Sequence, residues 1–554
     1  MKIFFLLILC VVTILSDSTK WSNQRSNNND STTEEKIERG YQLLKEEAHA
    51  ADTKAFLLKL HTAEQGRETE LDQQYANFSD DMKRYLEIEF DEVKQMGDAI
   101  ATINKKSHVD TALYQGDIML TKEQGEQIIK DIEQSNRNRL KRQAYHHMSF
   151  PTRLWSDGVS YTFHNASDVA IEAFRRAVEI WQNVTCINFT ENSTAVDKIV
   201  LINGTGCWSE LGKIGGNQSL SLGDGCEEVG TAVHEIGHAL GFFHTHSRYD
   251  RDDFILIQWR NVEKEWKTQF DKENNKTNNN YGLTYDYGSV MHYGARSGTK
   301  NGRPTMLPLK DMKYILTIGS DVLAFYDMMM MNLHYGCLDR CGAVCSSKCE
   351  NGGIPHPRNC SKCLCPSGYA GDLCTERPST GCGATLTANS TEQTLTVTMG
   401  DHKSTILKDE FDVCHYWLQG PTNLRIIVFI VGYWGITVEG CKYGGVEIKV
   451  GEDKRTTGYR ICSKKYARVT LTSKHSTVPV MVFNRYRNTT VTLRYRTDNS
   501  PHPNSTTSFP PTPCPTPSTT PTTTSSTTSS TSSSTTTPTT VSTTPSNNTK
   551  SIKP

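Results

Sequence analysis

The sequence predicts a multidomain protein: an α+β unit in the middle of the chain, then a short disulfide-rich module, then an all-β sandwich. Three observations carry this reading. Residues 143–338 mix a strand-like piece (Tyr161, Thr162, Phe163) with an apolar helical face (Ile171, Phe174, Val178, Trp181), which Ser167 caps. Seven cysteines crowd into residues 341–375, a stretch too short for a hydrophobic core and therefore dependent on bridges. Residues 382–496 alternate apolar and polar positions, as over 426–431 and 491–495, and carry four cysteines. At 554 residues the chain exceeds what one core can organise.

The remaining elements fall in order around these three. Residues 1–18 read as a secretory signal, because Met1 and Lys2 precede an apolar run over 3–15, with Ser16 and Ser18 as small residues for cleavage. That run falls short of the roughly 20 apolar residues a bilayer requires, so a secreted, extracellular protein with no membrane span is expected. Seventeen cysteines, one of them Cys10 in the leader, agree with an oxidising compartment. So do glycosylation sequons at Asn165, Asn183, Asn188, Asn203, Asn217 and Asn389. Sixty basic against 61 acidic residues give a net charge of −1 without a long basic run, which excludes a nucleic-acid partner.

Residues 19–142 contain no cysteine and are rich in Glu, Lys and Gln, with a helix expected over 121–134 that Thr121 and Gln124 close as a capping box. The segment reads as a propeptide. Arg139-Leu140-Lys141-Arg142 ends it, and an activating convertase cutting there leaves Gln143 as the new amino terminus. At the other end of the chain, residues 497–554 are almost entirely Ser, Thr and Pro. That composition buries too little apolar surface to offset the entropy of ordering, so an extended, glycosylated tail is expected, with no anchoring signal after it.

Chemistry enters at residues 234–244, His-Glu-Ile-Gly-His-Ala-Leu-Gly-Phe-Phe-His. On a helix His234 and His238 project from one face and can share a metal. Gly241 accepts a left-handed backbone, which stops the helix and lets the chain turn back with His244. Three imidazoles suit zinc with one coordination position left for water, whose pKa the metal lowers and whose proton Glu235 takes as general base. The spacing thus points to a zinc peptidase.

This motif, together with Ser289-Val290-Met291-His292-Tyr293 further on, resembles the astacin family of metzincin proteases. The resemblance implies a metzincin-type catalytic domain over 143–338, with His234, His238 and His244 as zinc ligands. It implies that Met291 forms a Met-turn beneath the metal and that Tyr293 helps stabilise the tetrahedral intermediate. Tyr114-Gln115-Gly116-Asp117 resembles the family's latency motif with Tyr in place of Phe, which makes Asp117 the zinc cap of a zymogen. Thr245 stands where the family carries Glu, so the usual ion pair with the mature amino terminus is not expected here. His246 and His292 read as structural, and Met328, Met329, Met330 and Met331 as the core of a final helix. The family pattern pairs Cys186 with Cys337 and Cys207 with Cys226; spacing alone leaves three pairings open.

Residues 341–375 resemble an EGF-like module with Cys349, Cys363, Cys365 and Cys374 among its bridging residues, and either Cys341 or Cys345 in excess of six. A bridge from the surplus cysteine to Cys514, or to another chain, is left open. Residues 382–496 resemble a CUB domain whose Cys382, Cys414, Cys441 and Cys462 form two sequential pairs. Gly444 stands where that family often has a calcium-binding Asp, so no calcium site is assigned. The nematode astacin layout is similar. It implies a latent, secreted zinc endopeptidase acting on extracellular proteins; cuticle or matrix proteins are open as substrates and nothing in the sequence selects among them. The alternative is a catalytically inactive secreted EGF/CUB binding protein, which loss of a ligand or of Glu235 would favour.

Overall fold

A computed structural model describes residues 32–64, 80–135, 144–145, 153–273, 278–346 and 348–498. The leader, Arg142, Gln143, Cys514 and the Ser/Thr-rich tail lie outside the described residues, as does the side chain of Cys345.

The N-terminal segment forms helices α1 (Thr33–Leu44), α2 (Ala50–Glu64), α3 (Asp80–Leu86) and α4 (Ile100–Lys106), a two-residue strand β1 (Ile118–Met119) and helix α5 (Lys122–Ser135). Thr32 opens α1 with a reciprocal capping box to Glu35. The box expected at the start of α5 is present: Thr121 N–H donates to Gln124 Oε1 at 2.9 Å and Gln124 N–H to Thr121 Oγ1 at 3.3 Å.

The α+β unit is built on β2 (Val159–His164), α6 (Asp168–Val184), β3 (Phe189–Glu191), β4 (Lys198–Ile202), β5 (Cys207–Glu210), β6 (Asn217–Leu222) and α7 (Val229–Ala239). Their sheet has the order β1-β5-β6-β4-β2-β3. Strand β5 runs antiparallel to β6, and β1 of the N-terminal segment lies parallel beside it, with Ile118 opposite Ser209 and Met119 opposite Glu210. Without β1, β5 is the sheet edge. Helix α6 starts where the sequence predicts: Ser167 Oγ accepts from Ala170 N–H at 3.1 Å. Its apolar face buries Phe174, Val178 and Trp181, with Ile171 partly buried. Trp181 fixes α6 on α7 by donating Nε1–H to the Val233 carbonyl at 3.0 Å. After strands β7 (Ile255–Ile257) and β8 (Met306–Pro308), helix α8 (Phe325–His334) closes the unit; Met329, Met330 and Met331 are buried in the core with Met328 packed against it.

Bridges join Cys186 to Cys337 and Cys207 to Cys226, the pairing implied by the family. In the disulfide-rich module the pairs are Cys341–Cys360, Cys349–Cys363 and Cys365–Cys374, around a hairpin of β9 (Ile354–His356) and β10 (Asn359–Leu364). Cys341 is therefore one of the bridged six, which leaves Cys345 as the surplus cysteine of this stretch.

The C-terminal part is a β-sandwich. One sheet has the order β11 (Thr385–Thr387), β13 (Asp412–Gln419), β18 (Thr477–Asn484), β15 (Gly444–Ile448), β16 (Tyr459–Ile461). The other has β12 (Gln393–Gly400), β19 (Asn488–Asp498), β14 (Arg425–Trp434), β17 (Thr470–Thr472). Cys382–Cys414 and Cys441–Cys462 bond as sequential pairs. Among the described residues, the parts that the sequence separates pack together. Ala295, Leu307, Met312, Ile315 and Leu316 of the α+β unit share a core cluster with the sandwich. Arg485 spans the junction to Glu228 (3.1 Å) and Asp321 (3.0 Å). The six sequon asparagines are all exposed.

Candidate active site

Helix α7 carries His234 and His238 one turn apart, both buried. It ends on Leu240, and the chain turns at Gly241, whose φ of 107° is the left-handed geometry the sequence calls for. The turn brings His244 back to the first two rings. His234 Nε2 lies 3.1 Å from His238 Nε2 and 3.2 Å from His244 Nε2. Donors about 2.0–2.1 Å from a tetrahedral zinc stand roughly 3.3 Å apart, so the triangle fits the ion.

The other ring nitrogens are also accounted for. His234 Nδ1 faces the Val290 carbonyl at 2.7 Å, and His238 Nδ1 faces that of Phe242 at 2.6 Å. His244 Nδ1 lies 2.9 Å from Gln115 Oε1. Each partner is an acceptor, so each Nδ1 carries the proton and each Nε2 lone pair faces the shared centre. Burial lowers the pKa of His238, and it lowers that of His244 to about 3; the neutral form that a metal requires is the stable one.

A fourth donor comes from the N-terminal segment. Asp117 Oδ2 stands 3.1 Å from His244 Nε2 and 3.3 Å from His234 Nε2, and Oδ1 is 3.4 Å from His238 Nε2. The four ligand atoms lie within 4.8 Å of one another. Tyr293 donates its hydroxyl to Asp117 Oδ2 at 2.5 Å. Glu235, fully buried beside these groups, has no hydrogen-bond partner among the described residues on either carboxylate oxygen. Burial, and then the charge of Asp117, raise its pKa well above the carboxylate range. A buried carboxylate with nothing to bind is costly, and proteins retain one where a ligand or reaction uses it. Met291 is buried next to Gly237, where a β-carbon would stand 2.6 Å from Met291 Sδ; only glycine lets the turn approach the helix this closely.

The sequence profile of the Astacin peptidase family matches residues 147–336. A Caenorhabditis elegans protein, zinc metalloproteinase nas-31, is 47% identical over 410 residues, covering 73% of this chain and 67% of the relative. The chain belongs to the astacin family of zinc metalloproteinases. A second relative from the same organism, zinc metalloproteinase nas-32, is 37% identical over 71% of this chain and 60% of its own length. Among solved structures, a hatching-enzyme zinc protease from medaka fish, high choriolytic enzyme 1, is 31% identical over 34% of this chain and 94% of its own, with a TM-score of 0.31. This astacin-family chain is a zinc-dependent endopeptidase.

The structure brings together His234, His238, His244, Asp117 and Tyr293, with Glu235 and Met291 against them; Arg142 and Gln143 lie outside the described residues. Thr245, in the place of the family's Glu, puts Oγ1 2.7 Å from Ser289 Oγ, which donates to Asp327 Oδ1 at 2.6 Å. Asp327 also accepts from the Val290 and Ala324 N–H groups and has its pKa pushed up to about 6 by burial, against these hydrogen bonds. His292 is held between the Tyr293 carbonyl and Tyr285 OH, consistent with a packing role.

Sequence reasoning missed Gln115, Glu273 and Asp327. Gln115 donates to Glu273 Oε1 at 2.7 Å while its own oxygen faces His244, and Tyr114 OH donates to the same Glu273 oxygen at 2.7 Å. Position inside the Tyr114-to-Asp117 motif is the only signal that could have singled out Gln115. Nothing local marks Glu273 or Asp327.

Proposed function

We propose that His234, His238 and His244 hold the zinc, that Glu235 is the general base and Tyr293 the donor to the developing oxyanion, and that Asp117 keeps a zymogen silent. His234, His238 and His244 would hold the zinc, which when bound would acidify a water and polarise a carbonyl. Glu235 takes the proton from the attacking water, whose oxygen bonds the scissile carbonyl carbon, and delivers it to the amide nitrogen as the C–N bond breaks. Tyr293, once freed from Asp117, turns its hydroxyl to the carbonyl oxygen as charge builds there.

The observation that carries this reading is the convergence of three oriented Nε2 atoms beside a buried carboxylate with no partner. Strand β5 supplies the substrate seat: an extended polypeptide can pair with its backbone once β1 has gone. Residues 19–142 are then a pro-segment removed after Arg142, with Gln143 as the new terminus, following a signal over 1–18. Residues 341–375 act as an EGF-like spacer, 382–496 as a CUB-like domain and 497–554 as a glycosylated tail; the substrates are extracellular proteins, and secretion with glycosylation at the exposed sequons follows.

The test is to cut the secreted protein between Arg142 and Gln143 and follow digestion of a denatured protein. Activity abolished by a chelator and restored by Zn²⁺ supports the reading. Zinc bound at one equivalent with no digestion, once residues 32–135 have been stripped from the cut enzyme, refutes it and leaves a secreted binding protein.

A further inference from the structure

The pro-segment has two seats, and only one of them is at the metal. Residues 84–98 leave α3 and run across the β-sandwich. Arg84 donates to the Lys465 and Ala467 carbonyls at 2.6 and 2.8 Å. Tyr85 packs edge-on against Tyr466, with ring centres 5.1 Å apart, and is buried with Ile88 in the cluster that contains the sandwich core. Asp91 and Thr437 bond reciprocally: Asp91 N–H donates to the Thr437 carbonyl and Thr437 N–H to Asp91 Oδ2, each at 2.8 Å. Tyr443 OH donates to Asp98.

Between the seats, Lys94 pairs with Glu228, the residue that begins the metal helix and that Arg485 of the sandwich also holds. Ala99, Ile100 and Ala101 then line one crevice with His234, Tyr293, Glu439 and Lys442, so the strap is continuous from the sandwich to the metal centre.

We propose that the sandwich face formed by Thr437, Tyr443, Lys465 and Tyr466 is a docking surface for pro-segment residues 84–98, and that it holds the excised pro-segment on the enzyme after the chain is cut. This rests on the reading of residues 19–142 as a pro-segment. Cutting beyond residue 135 breaks one covalent link and touches none of these contacts. Because the strap is joined through fewer than about 20 residues to Asp117, a ligand that slips off the metal is held at high effective concentration and rebinds. Release then requires loss of both seats. The occupant is specified by chemistry: an arginine for two carbonyls, an aromatic ring for Tyr466, and acidic groups for the Thr437 amide and the Tyr443 hydroxyl.

The test replaces residues 139–142 by a site for a sequence-specific protease, so that the outcome does not depend on the natural convertase. The full chain is cut, passed over a sizing column, and assayed for pro-segment in the enzyme peak and for peptidase activity. The wild-type pro-segment should co-elute with the enzyme. In the Arg84→Ala/Tyr85→Ala double variant its affinity should fall about tenfold or more, with activity appearing in step; Asp91→Ala should act more weakly in the same direction. Wild-type pro-segment eluting alone, or equal retention in wild type and double variant, overturns the proposal. Should the double variant not be secreted, hydrogen exchange at residues 437–443 and 465–467 of the cut wild type decides: protection lost when the pro-segment is stripped supports the seat, and unchanged protection overturns it. Retention and release as expected, with no activity in any released enzyme, leaves the docking surface standing and refutes the peptidase reading instead.

Discussion

The metal centre and the β-sandwich both bury charged side chains, and they satisfy them in opposite ways. In the sandwich, Glu447 accepts from Arg460 at 3.1 Å and from the Gly458 amide at 2.9 Å, while Arg485 reaches Glu228, Asp321 and the Lys442 carbonyl. Each charge there finds its partner within the chain. At the metal centre, three imidazole nitrogens point at one another across hydrogen-bond distances, and Glu235 finds no hydrogen-bond partner among the described residues. Buried polarity that closes on itself is architecture; buried polarity left open is where a ligand or reaction enters.

Substitutions in the two regions should therefore read out differently. Glu235→Gln keeps shape and volume, so zinc content and melting temperature should hold while kcat/KM falls about 10³- to 10⁴-fold; a loss of zinc in step with activity would make Glu235 a packing group. Arg460→Leu should do the reverse. Stripping the partner from buried Glu447 costs about 3–5 kcal/mol of folding stability, measured by denaturant unfolding, with turnover per folded molecule unchanged.

Tyr293→Phe sharpens the comparison, since only the hydroxyl that donates to Asp117 is removed: kcat should fall about a hundredfold with KM nearly constant. The smallest effect is one of pH. Glu210 on β5, beside Glu47 and His49 of the N-terminal segment, has its pKa raised from 4.5 to about 8 by burial and by the Glu47 charge, against a hydrogen bond from Ser219. Burial under the N-terminal segment favours the protonated carboxyl, so the grip of that segment weakens as pH rises toward 8. Dissociation constants of the cut complex at pH 5.5 and 8 should differ about tenfold, and Glu210→Gln should flatten the difference.

How much of this is legible in the sequence follows from the range of each interaction. The three histidines and Glu235 lie within eleven residues, so helical period and one glycine suffice to converge them, and the cap of α6 at Ser167 is equally local. Asp117 is legible only through its motif. Asp327 reaches Ser289 across 38 residues and Gln115 reaches Glu273 across 158, contacts that no spacing rule encodes. The alternation of strands in 382–496 reveals a sandwich but not which face of it another segment covers, because a docking surface has no period of its own. The strap over 84–98 is for that reason visible only in three dimensions.

Gln115 gives the N-terminal segment a further role. It offers His244 the acceptor that fixes its tautomer, and Asp117, two residues on, offers the metal an oxygen. The intact chain presents four donors and three oriented rings at one centre; removal of residues 19–142, as proposed above, would leave three donors and two such orientations. On the proposed reading, zinc is held more tightly before the cut than after it, and the trimmed enzyme is the form from which a competitor extracts the ion more readily.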